Sequence, residues 1–284
     1  MRTHAAPMRT SRGAVAGVIV ALLLVLLPAA PAHAQLISTD EEIRIGRQVA
    51  REVEAEYGVV HDPAQTAAID AIGRRLAQFS DRPNLPYTFK ILRVREANAL
   101  SIPGGFIYVT AGMLRFARSE EELAFVLGHE VAHAARRHGA QLLERDFYFS
   151  IVIRVLFGQD MSAAQIASFA RALVQRGYSR EMEFDADQSG ITYMRRAGYN
   201  PVAGLTFLDR LRVASGRDPS SFEVLFRTHP ALSDRVARVR QQLREMGYPV
   251  ARTPAEPQRA TVPPQQSPAP TPAIAPSRSP GEVR

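Results

Sequence analysis

The spacing of apolar positions changes along the chain, and each change of period predicts a different element. Ile45, Val49, Val53 and Tyr57 recur every fourth position, the mark of one buried helix face. Thr39 or Asp40 is placed to cap the start of that helix and Gly58 to end it. Asp62-Pro63 opens a second helix with Ile69, Ile72, Leu76 and Phe79 on one side. After Pro83 and Pro86 the period drops to two. Tyr87, Phe89, Ile91 and Arg93 alternate with Thr88, Lys90, Leu92 and Val94, which predicts a strand. Two further short runs, Asn98 to Ile102 and Phe106 to Thr110, flank Pro103-Gly104-Gly105 and read as a hairpin. Its edge is either structural or a place where a peptide adds as a further strand.

Helical spacing returns at Ser119, which with Glu122 forms an S-x-x-E capping box ahead of Leu123, Val126, Leu127 and Ala134. Phe147 to Phe157 is apolar around a central Arg154 and too short to span a bilayer. It reads as a core or pocket-covering helix, the alternative being a lid or a patch that touches membrane or client. Ser162 to Val174 is helical again. The fold class expected is α+β and mainly helical, with a small antiparallel sheet beside a central helix.

The two ends depart from these patterns. Arg2, Arg9 and Arg12 precede an uncharged apolar run from Ala14 to Leu27, followed by Pro28, Pro31 and Ala32-His33-Ala34. A basic start, a short apolar stretch and an A-x-A site describe a secretory leader over residues 1–34. Residues 251–284 are rich in Pro, Ala, Gln and Ser and lack aromatics, the composition of an extended or disordered tail. Between them, residues 35–250 are enough for one domain with a substantial core.

Charge and cysteine content narrow the chemistry. The net charge is +7, falling to +4 without the leader, and Lys90 is the only lysine. That balance, with no basic stripe interleaved with aromatics, gives no reason to expect nucleic acid. The chain has no cysteine, so neither a disulfide nor a lipid-bearing cysteine is available. Core packing, helped by any bound metal, must hold the fold.

The chemistry centres on His129-Glu130-Val131-Ala132-His133, an H-E-x-x-H run inside the predicted central helix. Positions i and i+4 share a helix face, so His129 and His133 can direct one imidazole nitrogen each at a single ion. Glu130 lies beside them as a base for water, and a third ligand must come from elsewhere. His138 fails the metzincin spacing and reads as a supporting polar or surface residue. Glu183 and Asp187, one turn apart on a later helix, suit a ligand and a partner that orients a ligand histidine. Glu181 and Asp185 fall on the neighbouring face and read as solvated acids. His61 reads as a surface residue, and Thr228-His229-Pro230, followed by Arg235, as a loop.

Four stretches then carry a resemblance: HEVAHAARRH, the acids from Glu183 to Asp187, ANALSIPGGFIYVTAGML and THPALSDRV. Together they resemble HtpX/BepA-type zinc metallopeptidases, relatives of the CAAX prenyl protease, over roughly Ile37 to Gln242. The resemblance implies a mainly helical gluzincin domain. It implies one zinc ion held by His129, His133 and Glu183, Glu130 as catalytic base, and His229 near the active site. His229 would then serve as an oxyanion donor, as a fourth ligand, or as a packing residue beside Pro230. The chain differs from HtpX-like members in lacking membrane helices around the motif, and from BepA-like members in having a Pro-rich tail where a repeat domain would follow.

The reading that results is an exported, periplasmic or outer-membrane-associated metalloendopeptidase acting on protein substrates such as misfolded envelope proteins. Peripheral membrane contact and oligomeric state are left open. The alternative is an envelope assembly factor with a purely structural zinc site.

Overall fold

The computed structural model describes residues 36–146 and 161–250. The leader, the tail and the apolar stretch 147–157 lie outside the described residues. The first helix, α1 (Thr39–Tyr57), is capped by Ser38, one residue before the expected cap, whose side chain accepts from the Glu41 N–H. Gly58 ends it at φ 68°, a left-handed angle that glycine adopts without a Cβ clash. Helix α2 (Pro63–Ala77) starts as expected, with Asp62 accepting from the N–H groups of Ala64 and Gln65. Phe79 lies beyond its end and is one of the exposed large apolar residues, because the helix closes before it can turn that ring inward.

Three strands follow: β1 (Thr88–Leu92), β2 (Ala99–Ile102) and β3 (Phe106–Thr110), in the order β1-β3-β2. The hairpin β2-β3 is antiparallel, pairing Leu100 with Tyr108, whereas β1 joins β3 in parallel, so the sheet is mixed. The chain from Arg93 to Asn98 carries β2 past the place that β3 later takes, and this leaves β1 and β3 running the same way. Alternation divides the side chains between two cores. Phe89, Ile91, Ala99, Ile107 and Val109 belong to one, and Leu92, Leu100, Ile102 and Tyr108 to the other.

Helix α1 covers the second core with α5 (His138–Asp146) and α6 (Ala163–Arg176). The first core lies under α2, the short α3 (Ala111–Phe116), the central α4 (Glu120–Ala135) and α7 (Arg180–Arg196). It is completed by α8 (Val202–Arg217), α9 (Glu223–Thr228) and α10 (Leu232–Glu245). Helix α4 is buried from Ala124 to Ala135 on every side, including His129, Glu130 and His133 among its apolar residues. Its cap is half of the expected box. Ser119 accepts from the Glu122 N–H, but Glu122 turns away from Ser119 to accept from the Arg118 N–H and to pair with Arg210. Among the described residues, no helix is long and apolar enough to cross a membrane.

Candidate metal centre

Helices α4 and α7 cross where both carry glycine. A Cβ on Gly190 would stand 3.0 Å from the Gly128 carbonyl carbon and the His129 nitrogen. That close approach lets α7 reach across to the histidines of α4. Ser179 caps α7 by accepting from the Met182 N–H, and one turn later Glu183 and Asp187 face His129 and His133. The third contribution comes from the end of α9. Pro230 cannot continue that helix. His229 closes it, its N–H donating to the Leu225 carbonyl. Gly177, at φ 69°, lies so close to Thr228 that a Cβ there would be 2.1 Å from the Thr228 oxygen, and this contact seats the histidine.

Four donor atoms converge. One atom each from His129, His133, Glu183 and His229 lie within 4.8 Å of one another, and all four side chains are buried. His129 Nε2 is 3.0 Å from His133 Nε2 and 3.6 Å from Glu183 Oε2, and His133 Nε2 is 3.3 Å from Glu183 Oε1. His229 Nδ1 stands 3.1 Å from Glu183 Oε1 and 3.3 Å from His129 Nε2. Ligands bound tetrahedrally to zinc at about 2.0–2.1 Å stand roughly 3.3 Å apart, so these separations match one ion's coordination shell. Imidazole and carboxylate without thiolate are ligands that zinc accepts.

Charge agrees with that fit. Burial would raise the Glu183 pKa, but His229 and Arg235 outweigh it and hold the carboxyl well below its usual range. Asp187 is likewise lowered against its burial, chiefly by Arg235. Arg235 is buried and grips both acids, with NH1 2.8 Å from Glu183 Oε2 and Nε 2.7 Å from Asp187 Oδ2. With His229 neutral, the form that could ligate, two ionised carboxylates against one guanidinium leave a buried negative charge, which favours a cation. Burial pushes the His133 pKa well down and keeps that imidazole neutral, the form that ligates. For His229, burial alone would lower the pKa, but the Glu183 carboxylate reverses the direction and raises it.

Each sequence-predicted residue can now be located. Asp187 Oδ1 accepts from His129 Nδ1 at 2.9 Å and so directs Nε2 into the cluster. Glu130 is buried beside it, 3.7 Å from His229 Nε2, and its Oε2 has no hydrogen-bond donor among the described residues. Burial raises the Glu130 pKa. His61 and Glu181 are exposed, as expected. Asp185 is not simply solvated. It accepts from Arg136 at 2.7 Å and contacts His138 at 3.1 Å, because the end of α4 folds back over α7. His138 is buried against His133, and burial lowers its pKa to about 4.

Two neighbours escaped the sequence reading. Tyr178 stacks on His133, with centroids 3.8 Å apart and planes at 17°, and its hydroxyl donates to the Ser101 carbonyl. Arg235 stands out in the sequence only as the charge that follows Thr228-His229-Pro230, with nothing to pair it with Glu183 or Asp187. No spacing rule links it to Asp187, 48 residues earlier, or to Glu183 before that.

An H-E-x-x-H helix crossed by a second helix that supplies the carboxylate defines a gluzincin-type domain. Residues 63–243 match peptidase family M48, and the chain belongs to that family. It is similar to a Vibrio cholerae protein provisionally named a beta-barrel assembly-enhancing protease, at 30% identity across 75% of this chain and 46% of that one. The beta-barrel assembly-enhancing protease of Escherichia coli is 26% identical across 74% of this chain and 45% of its own length. Mitochondrial metalloendopeptidase OMA1 of Schizosaccharomyces pombe is 28% identical across 74% and 63%. The chain thus spans less than half the length of the two bacterial relatives.

Proposed function

We propose that the chain is a zinc-dependent endopeptidase for proteins of the bacterial envelope. The observation that carries this reading is the buried cluster of His129, His133, Glu183 and His229 with Glu130 at its side. His129, His133 and Glu183 would hold the ion. A bound zinc supplies Lewis acidity, acidifying water and polarising the scissile carbonyl. Glu130 then accepts the proton of the attacking water and returns it to the leaving amine. Its raised pKa suits both halves of that task. Asp187, itself held by Arg235, keeps His129 in the tautomer whose Nε2 lone pair faces the cluster. Tyr178 and its stacking contact fix the plane of His133.

Export and substrate class follow from other observations. The leader-like residues 1–34, cleaved after Ala34, would deliver residues 35–250 as one domain followed by the Pro-rich 251–284. The names of the two bacterial relatives support β-barrel proteins under assembly, or failing to assemble, as substrates. An assembly factor with a structural metal has no use for a buried carboxylate placed like Glu130. The test uses purified chain and unfolded casein. Cleavage should stop with chelator and in Glu130→Gln, which keeps its metal. A Glu130→Gln protein that cleaves as well as the unaltered chain would end this reading.

A further inference from the structure

The two histidines of the motif are supported differently. His129 donates directly to a buried carboxylate, Asp187. Among the described residues, His133 meets no carboxylate on its outer side. Its Nδ1 lies 2.9 Å from Nδ1 of another imidazole, His138. Two nitrogens at that distance need one proton between them, so one ring donates and the other accepts. His133 turns its Nε2 to the cluster, 3.3 Å from Glu183 Oε1. If that nitrogen offers its lone pair to a cation, the proton of the neutral ring is on Nδ1, and His138 Nδ1 must accept it. His138 then carries its own proton on Nε2, which is 3.1 Å from Asp185 Oδ2. Asp185, a partly exposed acid, is held in place by Arg136 at 2.7 Å.

The backbone makes this arrangement. Arg137 takes φ 62°, a left-handed angle rare outside glycine, and so ends α4 abruptly and brings His138 back over the last turn. That corner is pinned from its side chain, with Arg137 NH1 2.8 Å from buried Glu42 and NH2 donating to the Ile37 carbonyl. The result is an unbroken hydrogen-bonded path from a metal-facing imidazole to the protein surface.

We propose that His138 and Asp185 are positioning residues for His133. His133 Nδ1–H donates to His138 Nδ1, and His138 Nε2–H donates to Asp185. This two-step relay holds His133 in the tautomer and ring orientation that ligation needs. The proposal rests on the zinc reading above and adds to it a second supporting arm, longer and more open than the Asp187 arm.

The experiment measures zinc affinity of the full chain by competition with a chromophoric chelator. Histidine-selective 15N NMR on zinc-loaded and metal-free protein accompanies it. His138→Leu removes the acceptor and should weaken zinc binding about 10–100-fold. His138→Asn returns an amide oxygen near the Nδ1 position but cannot reach Asp185, so it should weaken binding about 3–10-fold and less than His138→Leu does, a partial rescue that packing alone does not predict. Asp185→Ala, at a partly exposed side chain, should weaken binding about 3–10-fold. Zinc affinity unchanged in His138→Leu, or equally poor in Leu and Asn, overturns the relay. Should His138→Leu fail to fold, unchanged affinity in Asp185→Ala overturns it instead. Failure of the unaltered chain to bind zinc strikes the metal reading alone. The relay is then decided by NMR of the metal-free chain, where His138 protonated on Nδ1 instead of Nε2 rejects it.

Discussion

At the scale of single residues, the cluster makes Glu183 and Asp187 separable. Both are buried and both pair with Arg235, but Glu183 turns its oxygens to the Nε2 atoms of His129 and His133, whereas Asp187 meets only the outer Nδ1 of His129. Glu183→Ala should lose most bound zinc by elemental analysis, because a ligand is gone. Asp187→Ala should weaken binding only about 10–100-fold, because His129 loses its orientation and keeps its nitrogen. Full zinc in Glu183→Ala would remove it from the ligand set. His229 is open to a kinetic comparison. If its Nδ1 joins the ligand atoms, it blocks the place a substrate oxygen would take, and His229→Ala should raise basal hydrolysis. A fall in kcat of about a hundredfold at unchanged zinc affinity would instead make His229 a donor to the oxyanion. A lower Tm with unchanged rate would make it a packing residue. The candidate ligands His129, His133 and Glu183, and Asp187 beside them, were legible in the sequence because each pair, His129 with His133 and Glu183 with Asp187, obeys the one-turn rule within its own helix. Arg235, Tyr178 and the role of Asp185 were not, since they reach the site only through the packing of separate elements.

Among elements, the crossing of α4 and α7 sets the geometry of the centre. Gly190→Ala would press a methyl group against the backbone of Gly128 and His129. Separating the helices there should cost about 1–3 kcal/mol, a drop in Tm of roughly 3–10 °C for a domain of this size. Zinc affinity should fall with it, since Glu183 and Asp187 move away from His129 and His133 together. Thermal scans with and without added zinc check both effects. Gly190→Ala with unaltered Tm and affinity would show that the crossing has slack. Elements themselves were largely legible: helices α1, α2 and α4 and the β2-β3 hairpin all follow from period and turn chemistry. The parallel pairing of β1 was not. A period of two marks a strand without giving its neighbour or direction, and that choice is made by the long-range path of the chain. The left-handed corner at Arg137 was equally hidden, because arginine gives no local signal for it.

Over the whole molecule, the centre lies between two cores and not in an open cleft. Ala99, Phe125, His129, Glu130 and His229 border a cavity of about 30 Å³. A space of that size holds about two waters and no peptide residue, so a peptide could reach the cluster only if the surrounding elements part. The same burial turns metal content into a question of time. His133 and Glu183 are 0% exposed. An ion held among such groups can leave only during an opening of the protein, and a chelator in solution must wait for that event. Zinc loss should therefore speed up with chelator concentration only to a ceiling, the opening rate, as followed by a zinc-sensitive dye in stopped-flow or manual mixing. A loss rate that keeps climbing in proportion to chelator would mean that solvent already reaches the ion. Brief exposure to chelator is then no measure of metal dependence in this protein, and the length of incubation decides what an inhibition assay reports.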